Sequence, residues 1–264
     1  MLRNLADLAR YTVLGTDSAI PMGHVRDVYF DDETWVVRYF VVETGTWLDS
    51  RKVLISPLAV READWTQKLL RVGLTQAQVE GSPDIDTEQP VSRQQEREYT
   101  SYYGYPYYWE RAGLWGGGPY PELVNPGARD GSTTWLVPPS PRNADSHLRS
   151  GKAVASYHVH ATDGDIGRAR EMLIDERAWT IRFIAIQTAS WWFGHHVLVA
   201  PEWIERVSWT ESALYVDLTR GQITGAPMYE PSAEFDREQE AGIYAHYGRR
   251  GYWTSAGEPE PPRR

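Results

Sequence analysis

The sequence predicts a mainly-β protein built from two tandem small β-barrels, each followed by a short helix and an aromatic tail. Three observations predict it. The chain repeats itself at a spacing of 144 residues, each copy is dominated by short β-branched and aromatic runs, and each copy closes with a helix signal, a glycine and clustered rings. Gly23 answers to Gly167, Arg26 to Arg170, Asp31 to Asp175, Trp35 to Trp179 and Arg38 to Arg182. The register runs without a gap from Gly23 to Trp109, with about 26 identities in about 87 positions.

Within the first copy, His24 to Phe30 reads as a strand, Asp31-Asp32-Glu33-Thr34 as a polar turn, and Trp35 to Glu43 as a second strand. Both faces of that second strand are apolar apart from Arg38, so both are expected to be covered, as in a closed or nearly closed barrel. Lys52 to Ser56 is a strand stopped by Pro57, and Leu69 to Val72 is the next. Thr75-x-x-Gln78 and Thr219-x-x-Gln222 have capping-box spacing, each closed by a glycine, Gly81 or Gly225. Ser92-x-x-Gln95 and Asp236-x-x-Gln239 open longer helices, with Gly104 and Gly248 placed as left-handed caps.

These signals divide the chain into a first unit at 1–110, a Gly/Pro-rich linker at 111–150, a second unit at 151–255 and a disordered tail at 256–264. Two like units are expected to pair about a pseudo-two-fold axis, an internal analogue of a homodimer.

Composition removes several function classes. There are 27 basic against 36 acidic residues, a net charge of −9, and neither copy carries a basic excess. Nucleic acid is therefore not an expected partner, nor is an anionic membrane surface. No run is long enough to cross a bilayer, and the start lacks the apolar stretch of a signal peptide. With no cysteine there is no disulfide, thiolate metal site or thiol nucleophile, which fits the cytoplasm. Trp (12) and Tyr (16) far outnumber Phe (5), and such rings suit half-buried positions and interfaces.

Gly23 to Asp31, the apolar strand after it, Arg51-Lys52-Val53-Leu54-Ile55-Ser56-Pro57 and Leu74-Thr75-x-x-Gln78 running into Ser82-Pro83 resemble the PRC-barrel family. Gly167 to Asp175, His196 to Pro201 and Leu218 to Pro227 resemble it again. The resemblance implies a small β-barrel. It also implies kinship with the cytoplasmic domain of the photosynthetic reaction-centre H subunit and with the C-terminal domain of a ribosome maturation factor, which binds a small-subunit ribosomal protein. It supplies no catalytic residue. The membrane helix of the one and the N-terminal domain of the other have no counterpart in this sequence.

Candidate sites follow from the same register. His158-x-His160 and His195-His196, with Asp163 or Asp165, have ligand-type side chains but occur in the second copy alone, so no metal and no cofactor are expected. Asp27, Asp31 and Asp32, mirrored by Glu171, Asp175 and Glu176, fit turn-forming roles. Arg38 and Arg182 are charges in mid-strand, each needing a carboxylate or carbonyl partner, with Glu43, Glu96 or Glu240 as candidates. Tyr103, Tyr108, Trp109, Tyr247, Tyr252 and Trp253 form the candidate interaction surface. No nucleophile elbow, phosphate loop or dinucleotide fingerprint appears. The expected function is that of a non-enzymatic protein-binding or scaffolding module with an unknown protein partner. The alternatives are a peripheral component of a photosynthetic or electron-transfer membrane complex and a metal-dependent enzyme using the second-copy histidines.

Overall fold

The computed structural model describes residues 1–17, 20–83, 85, 91–110, 114–115, 118–121, 147–188, 195–231 and 235–255. The expected tail at 256–264 and most of the expected linker lie outside them, as does Trp191, the repeat mate of Trp47. The chain forms two compact units whose segments interleave. We call Ala6–Lys152 with Arg177–Thr180 the first unit, and Met1–Leu5, Ala153–Glu176 and Ile181–Arg264 the second.

In chain order the strands are β1 (Leu2–Asn4), β2 (Thr12–Leu14), β3 (Gly23–Asp31), β4 (Val37–Thr44), β5 (Lys52–Ile55), β6 (Val60–Asp64), β7 (Leu69–Val72) and β8 (Leu148–Ser150). They continue as β9 (His158–Ala161), β10 (Gly164–Asp175), β11 (Thr180–Thr188), β12 (His196–Val199), β13 (Ile204–Ser208) and β14 (Ala213–Val216). The helices are α1 (Leu5–Leu8), α2 (Gln76–Glu80), α3 (Arg93–Tyr103), α4 (Gly151–Val154), α5 (Arg220–Thr224), α6 (Arg237–His246) and α7 (Tyr252–Ser255).

Each unit holds one mixed seven-stranded sheet. The first runs β5-β4-β3-β2-β7-β6 with β8 also on β3; the second runs β12-β11-β10-β9-β14-β13 with β1 also on β10. β2 pairs parallel with β7 and β9 with β14, while the other pairs are antiparallel. Among the described residues no ladder joins the end strands β5 and β6; a 3₁₀ turn at Pro57–Ala59 joins them through the chain instead. The mainly-β class with two similar β domains is as the sequence predicts.

β4 is buried along both faces, from Val37 through Val42, as its uninterrupted apolar pattern requires. It pairs with β3 so that Val25 meets Val42 and Val28 meets Phe40. Here the repeated glycine has a definite role. A Cβ at Gly23 would sit 2.2 Å from the Glu43 carbonyl oxygen, and one at Gly167 would sit 2.0 Å from that of Gln187. Only glycine lets these strands approach so closely. All four capping boxes form, at Thr75, Ser92, Thr219 and Asp236, each with the reciprocal glutamine bond.

Two features of the repeat are conformational and invisible as residue types. Trp35 and Trp179 both take left-handed backbone angles, φ 57° and 53°, at the tips of their hairpins. This is an uncommon conformation for a bulky side chain; at Trp35 it lies between the bond from its own amide to the Asp31 carbonyl, 2.8 Å, and the bond from the Asp31 amide to the Val36 carbonyl, 2.9 Å. The second feature is the placement of β1 and β8. β1 lies in the sheet formed largely by the second copy and β8 in the sheet formed largely by the first.

Candidate interaction site in the aromatic tails

In the first unit the site begins at the N-terminus of α3. The Ser92 cap fixes the first turn and sets Arg93 and Glu96 three residues apart on one face, with Arg93 Nη1 2.8 Å from Glu96 Oε2. At the other end Gly104, with φ 70°, turns the chain back, and the amide of Tyr105 bonds the Thr100 carbonyl. A 3₁₀ turn at Tyr108–Glu110 then returns to the start of the helix. There the Tyr108 hydroxyl donates to Glu96 Oε1 at 2.7 Å and accepts from Arg93 Nη1 at 2.8 Å.

Arg38 of β4 completes this cluster from below. Its guanidinium lies 3.6 Å from the centre of the Tyr108 ring and 5.1 Å from that of Trp115. It donates from Nη1 to the Leu114 carbonyl and from Nη2 to Thr34 Oγ1 at 3.3 Å. Arg38 is 2 % exposed and Glu96 1 %. Burial pushes the Glu96 carboxyl up to about 7 against the pull of Arg93 and Tyr108, and it lowers the Arg38 guanidinium.

The second unit rebuilds the arrangement 144 residues on. The Tyr252 hydroxyl donates to Glu240 Oε2 at 2.7 Å and accepts from Arg237 Nη1 at 2.8 Å. Arg182 lies 3.8 Å from the centre of the Tyr252 ring and 3.6 Å from Asp175 Oδ2. Arg237 lies 4.8 Å from the Trp253 ring, as Arg93 lies 4.4 Å from Trp109. This copy is more open: the Arg237 side chain is 39 % exposed against 11 % for Arg93, and burial raises Glu240 in the same direction as Glu96.

The structure thus gathers Arg38 with Tyr108 and Trp109, and Arg182 with Tyr252 and Trp253. Tyr103 and Tyr247 stand apart from these clusters. Tyr103 packs on Tyr99 and Tyr105, and Tyr247 packs on Trp203. Tyr103, Tyr247 and Trp253 are buried; Tyr108, Trp109 and Tyr252 are half-buried. The exposed ring of the first tail is Tyr102, 42 % exposed; Tyr107 is half-buried and stacks on Trp109 at 5.1 Å.

The partner of Arg38 is a carbonyl, and the glutamates considered for it are engaged elsewhere. Glu43 is paired with Arg26, and Glu96 with Arg93. The sequence reading passed over Arg93 and Arg237. Their signal is the Arg-x-x-Glu pair repeated in the first turn of both helices. Trp115 is a further member of the cluster; it occurs in the first unit and donates to the Ala178 carbonyl at 3.0 Å.

The other candidates have local roles. Asp31 Oδ1 accepts from the Glu33 and Thr34 amides, closing its own turn. Asp27 binds the Ser150 hydroxyl and the Lys152 amide. His160 Nδ1 is 2.6 Å from Asp165 Oδ1 and its ring stacks on Tyr215, whereas His158 and His195 are exposed. Among the described residues no three His, Cys, Asp or Glu side chains group as metal ligands, and no helix is long and apolar enough to cross a membrane.

A comparison with curated proteins finds no match. Against protein families, residues 2–66 match the PRC-barrel domain, which spans β1 through β6 and the turn after it. The chain therefore carries a PRC-barrel domain in its first copy and, in its second, a similar β domain with the same strand order.

Proposed function

We propose that this protein is a non-enzymatic protein-binding or scaffolding module of the bacterial cytoplasm. The observation that supports this reading is the way each aromatic tail is held. A cation stacked beneath Tyr108 or Tyr252, and a glutamate bonded to its hydroxyl, fix the tail against its own sheet. Rings immobilised in advance lose little freedom on binding, and Tyr and Trp are the residues most enriched at binding hot spots. Beside the fixed Tyr108 of the first unit, the exposed Tyr102, bonded to the Gln78 carbonyl, and the half-buried Tyr107, bonded to the Ser101 hydroxyl, offer further held rings. The PRC-barrel match supports an interaction role in general terms.

The test is quantitative affinity capture with the full chain and with Tyr102→Ser/Tyr107→Ser, whose circular dichroism should match the wild type. Specific captured proteins are expected to fall at least about fivefold, the loss that about 1 kcal/mol of interface energy gives. The same proteins recovered at the same level from both would remove the tail as the contact.

A further inference from the structure

We propose that His158 and His160 of β9 form a two-imidazole site for a late first-row divalent cation, with Cu²⁺ held tightest. The two stand at alternate positions of one strand with Val159 buried between them, so both side chains leave the same, solvent-facing side. Their Cα atoms are therefore about 7 Å apart, a gap that two imidazoles can close on one ion at about 2.0–2.1 Å from each nitrogen.

His160 is held as a ligand needs to be. Its Nδ1 lies 2.6 Å from Asp165 Oδ1, and a carboxylate accepts, so the neutral ring carries its proton on Nδ1 and its lone pair on Nε2. Contacts of this kind orient metal-bound histidines and make them more basic. The face of the ring is fixed as well: it stacks on Tyr215 at 4.8 Å and 13°, and the Arg206 guanidinium lies 3.7 Å from the Tyr215 ring. Strand pairing builds this row, with Asp165 and Tyr215 each opposite His160 and Arg206 opposite Tyr215. Among the described residues neither His160 Nε2 nor the His158 ring has a hydrogen-bond partner. Arg168, opposite His158 on β10, points Nη1 at the Ser156 carbonyl, 3.5 Å.

The fold does not require these residues. By strand pairing, Thr12 and Leu14 of β2 hold the places of His158 and His160, and Arg71 and Glu62 those of Tyr215 and Arg206. β2 joins β3 and β7 without them. Absence from the first copy bears on roles that the copies share, and this role belongs to the second unit alone. Imidazole suits Cu²⁺, Ni²⁺ and Zn²⁺, of which Cu²⁺ binds such donors most tightly, and water fills the positions that two protein ligands leave. The inference is independent of the aromatic tails.

The full chain, made without a histidine tag and cleared of metal by a chelator, is titrated calorimetrically with Cu²⁺, Ni²⁺ and Zn²⁺. Its tightest site should take Cu²⁺ in preference to the other two. That site should weaken at least about tenfold in His158→Gln, in His160→Gln and in Asp165→Asn, the last being the loss typical of an outer-shell carboxylate. His195→Gln/His196→Gln should leave it unchanged. Absence of Cu²⁺ binding overturns the proposal; so does wild-type affinity in any of the three single variants, or a loss in the His195/His196 pair. A measurement on the wild type keeps the test independent of how the variants fold. Substoichiometric Cu²⁺ should broaden the imidazole proton resonances of His158 and His160 first, and first broadening at any other histidine overturns the proposal.

Discussion

Glu96→Gln converts the buried charge cluster of the first unit into a measurement. The carboxyl is 1 % exposed, and burial carries it from 4.5 up to about 7. The folded unit therefore holds a proton that the unfolded chain has already released, and its stability falls as pH rises through that window and levels off above it. At about 1.4 kcal/mol per pH unit the window is worth roughly 3 kcal/mol, most of it lost between pH 5 and pH 8. Glutamine keeps an acceptor for the Tyr108 hydroxyl and cannot ionise. Urea melts followed by tryptophan fluorescence at the two pH values should show the wild type losing about 2–3 kcal/mol relative to Glu96→Gln as the pH is raised. Glu240→Gln should behave in the same sense with a smaller amplitude, because Glu240 is itself less buried, 5 % exposed against 1 %, and burial is what raises both carboxyls. A wild-type-minus-variant difference that is level with pH, or rises, would refute the reasoning. It would mean that Arg93 and Tyr108 keep the carboxylate ionised throughout.

Two further outcomes follow from the fold. Gly23→Ala and Gly167→Ala each place a carbon against a backbone carbonyl oxygen on the neighbouring strand, so each should cost about 2–4 kcal/mol in a chemical melt; a loss under about 0.5 kcal/mol would show that the strands separate easily. A protease site inserted between residues 122 and 146 should yield two fragments that co-elute from a sizing column, because each sheet contains a strand from both fragments. Fragments that separate without denaturant would contradict the strand exchange.

Much of this molecule is legible residue by residue. The 144-residue register, the two strands with apolar faces on both sides and the four capping boxes are local signals whose physics is completed within a few neighbours. So is the demand that a mid-strand arginine be satisfied, since a lone charge cannot be buried without a partner. The Arg-x-x-Glu pairs of α3 and α6 were equally readable, because the first turn of a capped helix brings those positions together.

The identity of each distant partner was not readable in this way. Arg38 takes the Leu114 carbonyl, a choice the sequence cannot encode because every residue offers the same acceptor. The left-handed Trp35 and Trp179 look like ordinary strand starters, and only the closed hairpin imposes their φ. The largest decision was the exchange of β1 and β8. A backbone ladder carries no address, and Leu2-Arg3-Asn4 and Leu148-Arg149-Ser150 present the same leucine and the same arginine. The sequence therefore determined that two like sheets form and which strands build them. The tertiary structure decided which copy completes which sheet, because that choice depends on where the chain can reach and not on what the three residues are.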